Sequence, residues 1–273
     1  MAITLGIVFR PQSPPEELRQ IVEQADDGGV DELWPWEDCF LEGGLTSAAA
    51  ALSWSERLHV GVGLLPVPLR NPALAAMEIA TVARLWPGRF TVALGHGVQE
   101  WMGQVGARAE SPMTLLREHV TAVGALLDGE TVTVDGRYVQ LDDVALDWPP
   151  TRRPTLLIGA RGPKTIELAG ELSDGVLLDS VTDASVVRRA RDLLDAARSR
   201  SGRPGRGRVY VYTELETSKQ PDTLADQIST WTAELAEAGA DTVILQAPHD
   251  QPDPSALVEA LGLTGLGTPV PPR

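Results

Sequence analysis

Apolar runs of four to eight residues recur along the chain, at 3–9 (ITLGIVF), 31–34 (DELW), 58–65 (LHVGVGLL), 89–95 (RFTVALG), 155–158 (TLLI), 175–179 (GVLLD), 208–214 (RVYVYTE) and 241–246 (DTVILQ). Runs of this length predict buried strands, and the stretches between them carry the three-to-four-residue spacing of amphipathic helices. Helices are expected from Pro14–Pro15 to the Gly28-Gly29 pair, over 45–57, 73–86, 113–127, 184–200 and 222–238, after the glycine-rich turn that opens 159–172, and near 254–261. Eight strands alternating with helices predict an α/β fold, a (β/α)8 TIM barrel. The competing doubly wound sheet would usually carry GxGxxG after its first strand, and that motif is absent here. One segment breaks the rhythm. Within 129–153, TVTVDGRYVQL alternates around Asp135-Gly136 and predicts a small hairpin excursion before the fifth strand. The whole of 1–273 reads as one domain, with 262–273 a loosely held Gly/Pro tail.

Composition narrows the partners. With 23 Lys+Arg against 38 Asp+Glu the net charge is −15, a field that repels nucleic acid and anionic membrane surfaces. No apolar stretch approaches the length of a membrane span, and no basic segment precedes the first apolar run, so a cytoplasmic protein is expected. Cys39 is the single cysteine and has no intramolecular disulfide partner, and the four histidines (His59, His96, His119, His249) show no metal-ligand spacing.

In a barrel, the loops after the carboxyl ends of the strands meet at one mouth. Gly159-Ala160-Arg161-Gly162-Pro163-Lys164 lies between a strand and a helix, where backbone amides and the helix N-terminus suit a phosphate and Arg161 or Lys164 adds charge. A plain glycine-rich turn, with Pro163 at the first helical position, explains the same residues. After the second strand, Trp34, Trp36 and Phe40 flank Glu37, Asp38 and Cys39. That mixture suits a flat conjugated ligand beside a proton-transfer group, and equally a packed lid; Cys39 fits a nucleophile or a small buried side chain. His96 closes the fourth strand between two glycines, as a proton or hydrogen-bond donor or as a supporting residue, whereas His59 and His119 fall at structural positions. Asp179 ends the sixth strand as a ligand contact or a turn cap.

Taken in order, GVDELWPWED, GVGLLPVPLRNPALAAMEIATVARLWPGRFTVALGHG and GARGPKTIELAGELSDGVLL resemble the luciferase-like monooxygenase family, over residues 1 to about 250. The resemblance implies a flavin-dependent oxidoreductase, acting with coenzyme F420 or with FMN. It assigns the cofactor's phosphate end to Gly159, Ala160, Gly162, Pro163 and Lys164. A non-prolyl cis peptide against the ring would fall at Gly63–Leu64, with Gly97 and Val98 beside the cofactor. The compact chain resembles the deazaflavin branch, which implies hydride transfer between F420 and a small organic substrate. An FMN-dependent monooxygenase using O2 and a non-catalytic flavin- or deazaflavin-binding protein are the alternatives, as is a phosphate-substrate barrel enzyme unrelated to flavins. The family also implies a homodimer and, as a partner, a flavin or F420 reductase. This chain departs from the family's sugar-phosphate dehydrogenases, which carry Asp-His where Asp38-Cys39 stands and a glutamate where Val98 stands. The catalytic candidates are therefore Glu37, Asp38, Cys39 and His96, with Gln99 and Glu100 beside them.

Overall fold

The computed structural model describes residues 3–267. Eight parallel strands close into a barrel in the order β1 (Thr4–Phe9), β10 (Thr242–Gln246), β9 (Arg208–Glu214), β8 (Gly175–Leu178), β7 (Thr155–Ala160), β4 (Phe90–Gly95), β3 (His59–Pro66) and β2 (Glu32–Pro35). The two remaining strands, β5 (Val132–Asp135) and β6 (Gln140–Val144), form the expected antiparallel hairpin. Val139 and Leu141 of this excursion pack on Ala76, Ala122 and Leu126, so it covers the outer faces of α3 (Pro72–Leu85) and α5 (Pro112–Leu127).

The other helices are α1 (Leu18–Asp27), α2 (Gly44–Trp54), α4 (Gln99–Gln104), α6 (Pro163–Leu172), α7 (Ala184–Arg200), α8 (Pro221–Glu237) and α9 (Ser255–Thr264). Two boundaries differ from the sequence expectation. Residues 99–104, read as loop, form the short helix α4, anchored by the fully buried Met102. Residues 262–264, expected in the loose tail, instead continue α9 to Gly265, which ends the helix in the left-handed region (φ 66°). The expectation for 268–273 lies outside the described residues.

Strand side chains alternate between two cores. Leu5, Ile7 and Phe9 of β1, Leu33 of β2 and Val209 and Val211 of β9 face outward into the helix-covered core. Val8, Trp34, Ala93, Leu157, Leu177, Tyr210, Tyr212 and Ile244 face inward and fill the barrel. Three of these are large, and glycine makes room for them. A Cβ on Gly61 would lie 2.4 Å from the Trp34 indole, and one on Gly63 would lie 2.2 Å from the Tyr212 hydroxyl. Trp34 contacts both tyrosines, with ring centroids 5.6 Å and 6.0 Å apart. The barrel is thus a packed interior and not a pore.

Below Trp34 the inward position of β2 is Glu32, whose Oε2 accepts a 2.8 Å hydrogen bond from Trp34 Nε1. Burial raises its pKa from 4.5 to about 7. Between those two pH values the folded chain keeps a proton that the unfolded chain has released. The stabilisation is therefore fully present below pH 4.5 and is lost as pH rises through about 7. The loss should reach about 3 kcal/mol. His59 and His119, pushed down to about 4 by burial, act oppositely, destabilising the fold as pH falls below 6.5. The measurement is accordingly the urea-unfolding free energy of the wild type minus that of Glu32→Gln across this range. A difference that stays flat with pH would contradict the assignment.

Candidate active site at the carboxyl end of the barrel

The same alternation carried one step past the strand ends places a ring of charged and aromatic groups at the mouth. From β1 comes Arg10, from the loop after β2 come Trp36 and Asp38, and from β7, β8 and β9 come Arg161, Asp179 and Glu214. Arg10 is 5% exposed: it stacks over Trp36 at 5.1 Å, donates from Nε to the Ala247 carbonyl and pairs through Nη2 with Glu214. Trp36 packs on Tyr212 with centroids 5.4 Å apart. The half-buried Leu64 completes this apolar floor; Cβ atoms on Gly95 and Gly159 would fall 2.5 Å and 2.3 Å from its Cδ2. The Gly63–Leu64 peptide is cis, at the position the family resemblance implied, and a second non-prolyl cis peptide joins Cys39 to Phe40.

Asp38 is a carboxyl shifted by this setting. Burial pushes its pKa up, the neighbouring Asp179 pushes it further, and Arg10 pulls it back. Among the described residues Asp38 makes no ion pair, whereas Asp179 is held by Arg161 Nε at 2.7 Å, by Arg161 Nη2 and by the Ser180 hydroxyl at 2.9 Å. One of the two facing carboxyls is therefore tied down and the other is left to exchange a proton.

The other catalytic candidates fare differently. Glu37 is buried with both carboxylate oxygens committed, to Nη1 and Nη2 of Arg70 and to the Gly44 amide at the start of α2 (2.9 Å). With no oxygen left over, it is placed to hold Arg70 and the start of α2 rather than to meet a ligand at the mouth. Cys39 keeps its proton, since burial and then the charges of Glu37 and Asp38 push the thiol pKa up; this is the reverse of an activated nucleophile. His96 is half-buried and held neutral by burial; its Nε2 faces Thr165 Oγ1 at 3.4 Å, against the first turn of α6.

That first turn offers an anion cradle. Gly162 caps α6 without any side-chain hydrogen bond, Pro163 occupies the first helical position, and a Cβ on Gly162 would meet nothing within 4 Å. Of the first-turn amides, those of Thr165 and Ile166 donate to the Gly162 carbonyl and Pro163 has none, which leaves the Lys164 amide for an anion, with the exposed Lys164 side chain beside it and unpaired among the described residues. Arg161 departs from the sequence expectation here, because its guanidinium is spent on Asp179. Gly97, in the left-handed region (φ 66°), and the exposed Val98 at the start of α4 stand next along the rim. Gln12, Glu42 and His96, on segments following barrel strands, and Gln246, the last residue of β10, carry buried polar atoms without a hydrogen-bond partner. Such atoms suit a site completed by a polar ligand. Gln246 and Glu214 were not singled out in the sequence, although strand parity alone identifies both. Among the described residues no group of three or more His, Cys, Asp or Glu is placed to hold a metal ion.

Comparison with known proteins places this geometry among relatives. The model of the family described as luciferase-like monooxygenase matches residues 4–261. A 5,10-methylenetetrahydromethanopterin reductase of Methanolobus tindarius is 31% identical over 179 residues, which span 65% of this chain and 54% of that protein. A protein of the same name from Archaeoglobus fulgidus is 27% identical over 258 residues, 94% of this chain and 77% of its own. The solved structure of an F420-dependent secondary alcohol dehydrogenase, bound to an F420–acetone adduct, superposes with a TM-score of 0.83 at 17% identity, covering 97% of this chain and 98% of the other.

Proposed function

Because the chain belongs to the luciferase-like monooxygenase family, we propose that it is an oxidoreductase that binds coenzyme F420 at the mouth and transfers a hydride between it and a small organic substrate. The observation that carries this reading is the open, uncapped N-terminus of α6 beside a floor of Trp36, Tyr212 and Leu64. A cofactor with an anionic end and a flat ring fits those two features together. Support also comes from the similar proteins named for methylenetetrahydromethanopterin reduction and F420-dependent alcohol oxidation.

When bound, a deazaflavin supplies a two-electron hydride donor or acceptor. The protein's share is orientation and protons. The Lys164 amide and side chain would hold the phosphate end, with Gly159 and Ala160 forming the approach. Leu64, Trp36 and Tyr212 exclude water from the ring's position. Asp38 would give or take the proton that accompanies the change at the substrate carbon, with Arg10 keeping it from drifting to a permanently neutral state.

The charge of −15 and the lack, among the described residues, of any helix long and apolar enough to span a membrane support a cytoplasmic setting. Exposed Leu74, Met77 and Leu85 on α3 support a homodimer.

The test is a parallel titration of the purified protein with F420 and with FMN, followed by fluorescence quenching. Saturable F420 binding is expected, with FMN at least about tenfold weaker, a difference of about 1.4 kcal/mol. The reverse order would move the reading to an FMN monooxygenase supplied by a reductase. Binding of neither would remove the cofactor assignment and return the α6 cradle to a substrate phosphate.

A further inference from the structure

A cavity of about 750 Å3 lies at the end of the barrel opposite the mouth, where the strands begin. Four arginines line it: Arg57, Arg152, Arg153 and Arg208. In a chain with 15 more acidic than basic residues, such a concentration of guanidinium groups calls for a reason. For two of them the reason is structural. Arg57 pairs with Asp26, and Arg153 pairs with Asp128 and Asp174.

The other two have no such partner. Among the described residues Arg152 makes no ion pair or hydrogen bond; its Nη1 lies over Gly88, where a Cβ would fall 2.8 Å away. Arg208, the first residue of β9, reaches only the Tyr210 hydroxyl, at 3.4 Å. The acidic groups that face them are Asp31 and Glu32 in the cavity wall and, for Arg208, Asp241, which Arg191 and Arg206 also hold. Asp31 accepts a 3.0 Å hydrogen bond from the Leu5 amide, and burial leaves Glu32 largely protonated below neutral pH. His59, on the same wall, is uncharged at neutral pH. The cavity thus keeps a positive excess, and Phe90, Pro154 and Leu266 give it an apolar side.

We propose that the amino-terminal end of the barrel is a second binding site, for a small organic phosphate whose oxyanion is shared by Arg152 and Arg208. Two guanidinium forks with free donors match a phosphate group, which accepts paired N–H bonds from each. The volume exceeds what a bare ion needs and falls within the range of small-molecule sites, so an organic portion can lie on the apolar side. The site is separate from the α6 cradle, because the packed layer of Trp34, Tyr210 and Ile244 lies between the two ends.

Phenyl phosphate serves as the probe, titrated calorimetrically into the full-length protein at fixed ionic strength, since salt weakens exposed guanidinium contacts. Separate from the binding that the α6 cradle offers the same probe, a saturable site that depends on the two arginines is expected. The double variant Arg152→Gln/Arg208→Gln should weaken it by at least about tenfold, the scale of two lost charge-assisted contacts. Lys164→Gln, which weakens the α6 cradle for the same probe, should leave the arginine-dependent site in place. Should the double variant unfold, Arg152→Gln alone carries the test, because its exposed side chain holds nothing else in place. Several-fold weaker binding in that variant supports the site. No saturable binding to the wild type, unchanged affinity in the arginine variants, or loss in Lys164→Gln instead would each overturn it.

Discussion

Asp38→Asn should lower kcat by about a hundredfold, the lower range for removing a positioned proton donor or acceptor, while F420 affinity stays within about twofold. The separation is expected because Asp38 faces Arg10 and Asp179 over the ring floor and takes no part in the α6 cradle. An asparagine preserves shape and the Arg10–Trp36 stack but cannot exchange a proton. Single-turnover measurements with a substrate found among alcohols, imines and activated alkenes provide the readout. The pH profile adds a second handle. Since the Asp179 charge helps push Asp38 up, Asp179→Asn should move the Asp38 limb of kcat/KM to lower pH. A rate within a few-fold of wild type in Asp38→Asn would show that the proton travels by another route.

Glu37→Ala should destabilise the fold by about 4 kcal/mol, within the cost of breaking a buried pair. Three separate losses meet at this residue. Arg70, with its side chain 18% exposed, keeps only Glu78 as a partner; the Gly44 amide loses its acceptor at the start of α2; and a cavity opens below both. In a domain of this size the midpoint of thermal unfolding should fall by about 10 °C. Glu37→Gln keeps the shape and one acceptor oxygen, and should fall between alanine and the wild type. Equilibrium unfolding in urea decides the matter: a loss under about 1 kcal/mol in Glu37→Ala would mean that the carboxylate is held for chemistry and not for architecture.

The strand runs that predict the barrel are legible because a parallel barrel buries both faces of every strand, which leaves uninterrupted apolar segments between polar turns. The hairpin is legible for the opposite reason, since one of its faces is wet and its sequence alternates. The short helix α4 is not. Gly97, Gly103 and Gly106 crowd its span, and no side chain caps it. Within the site, sequence identifies which residues stand past strand ends but not which of them are already spoken for. Glu37 looks like an acid/base group until Arg70, 33 residues on, closes over it. Arg161 looks like a phosphate ligand, yet Ala160 of β7 pairs with Leu178 of β8, so the next residues along, Arg161 and Asp179, stand side by side and neutralise each other. Strand parity was an unused signal: counting in twos from Trp34 reaches Trp36 and Asp38, and from Tyr210 and Ile244 it reaches Tyr212, Glu214 and Gln246.

The aromatic filling of the barrel also divides the molecule into compartments. Trp34, Tyr210 and Tyr212, fitted against glycine backbone, form a close-packed layer between the two ends of the barrel. Protons at Glu32 and protons at Asp38 therefore equilibrate with solvent through opposite faces of the protein. A reporter dye or an immobilising linker attached at the start of the strands would leave the chemistry at the other end undisturbed. Redesign of the mouth for a new substrate can likewise proceed without renegotiating the base on which the barrel stands.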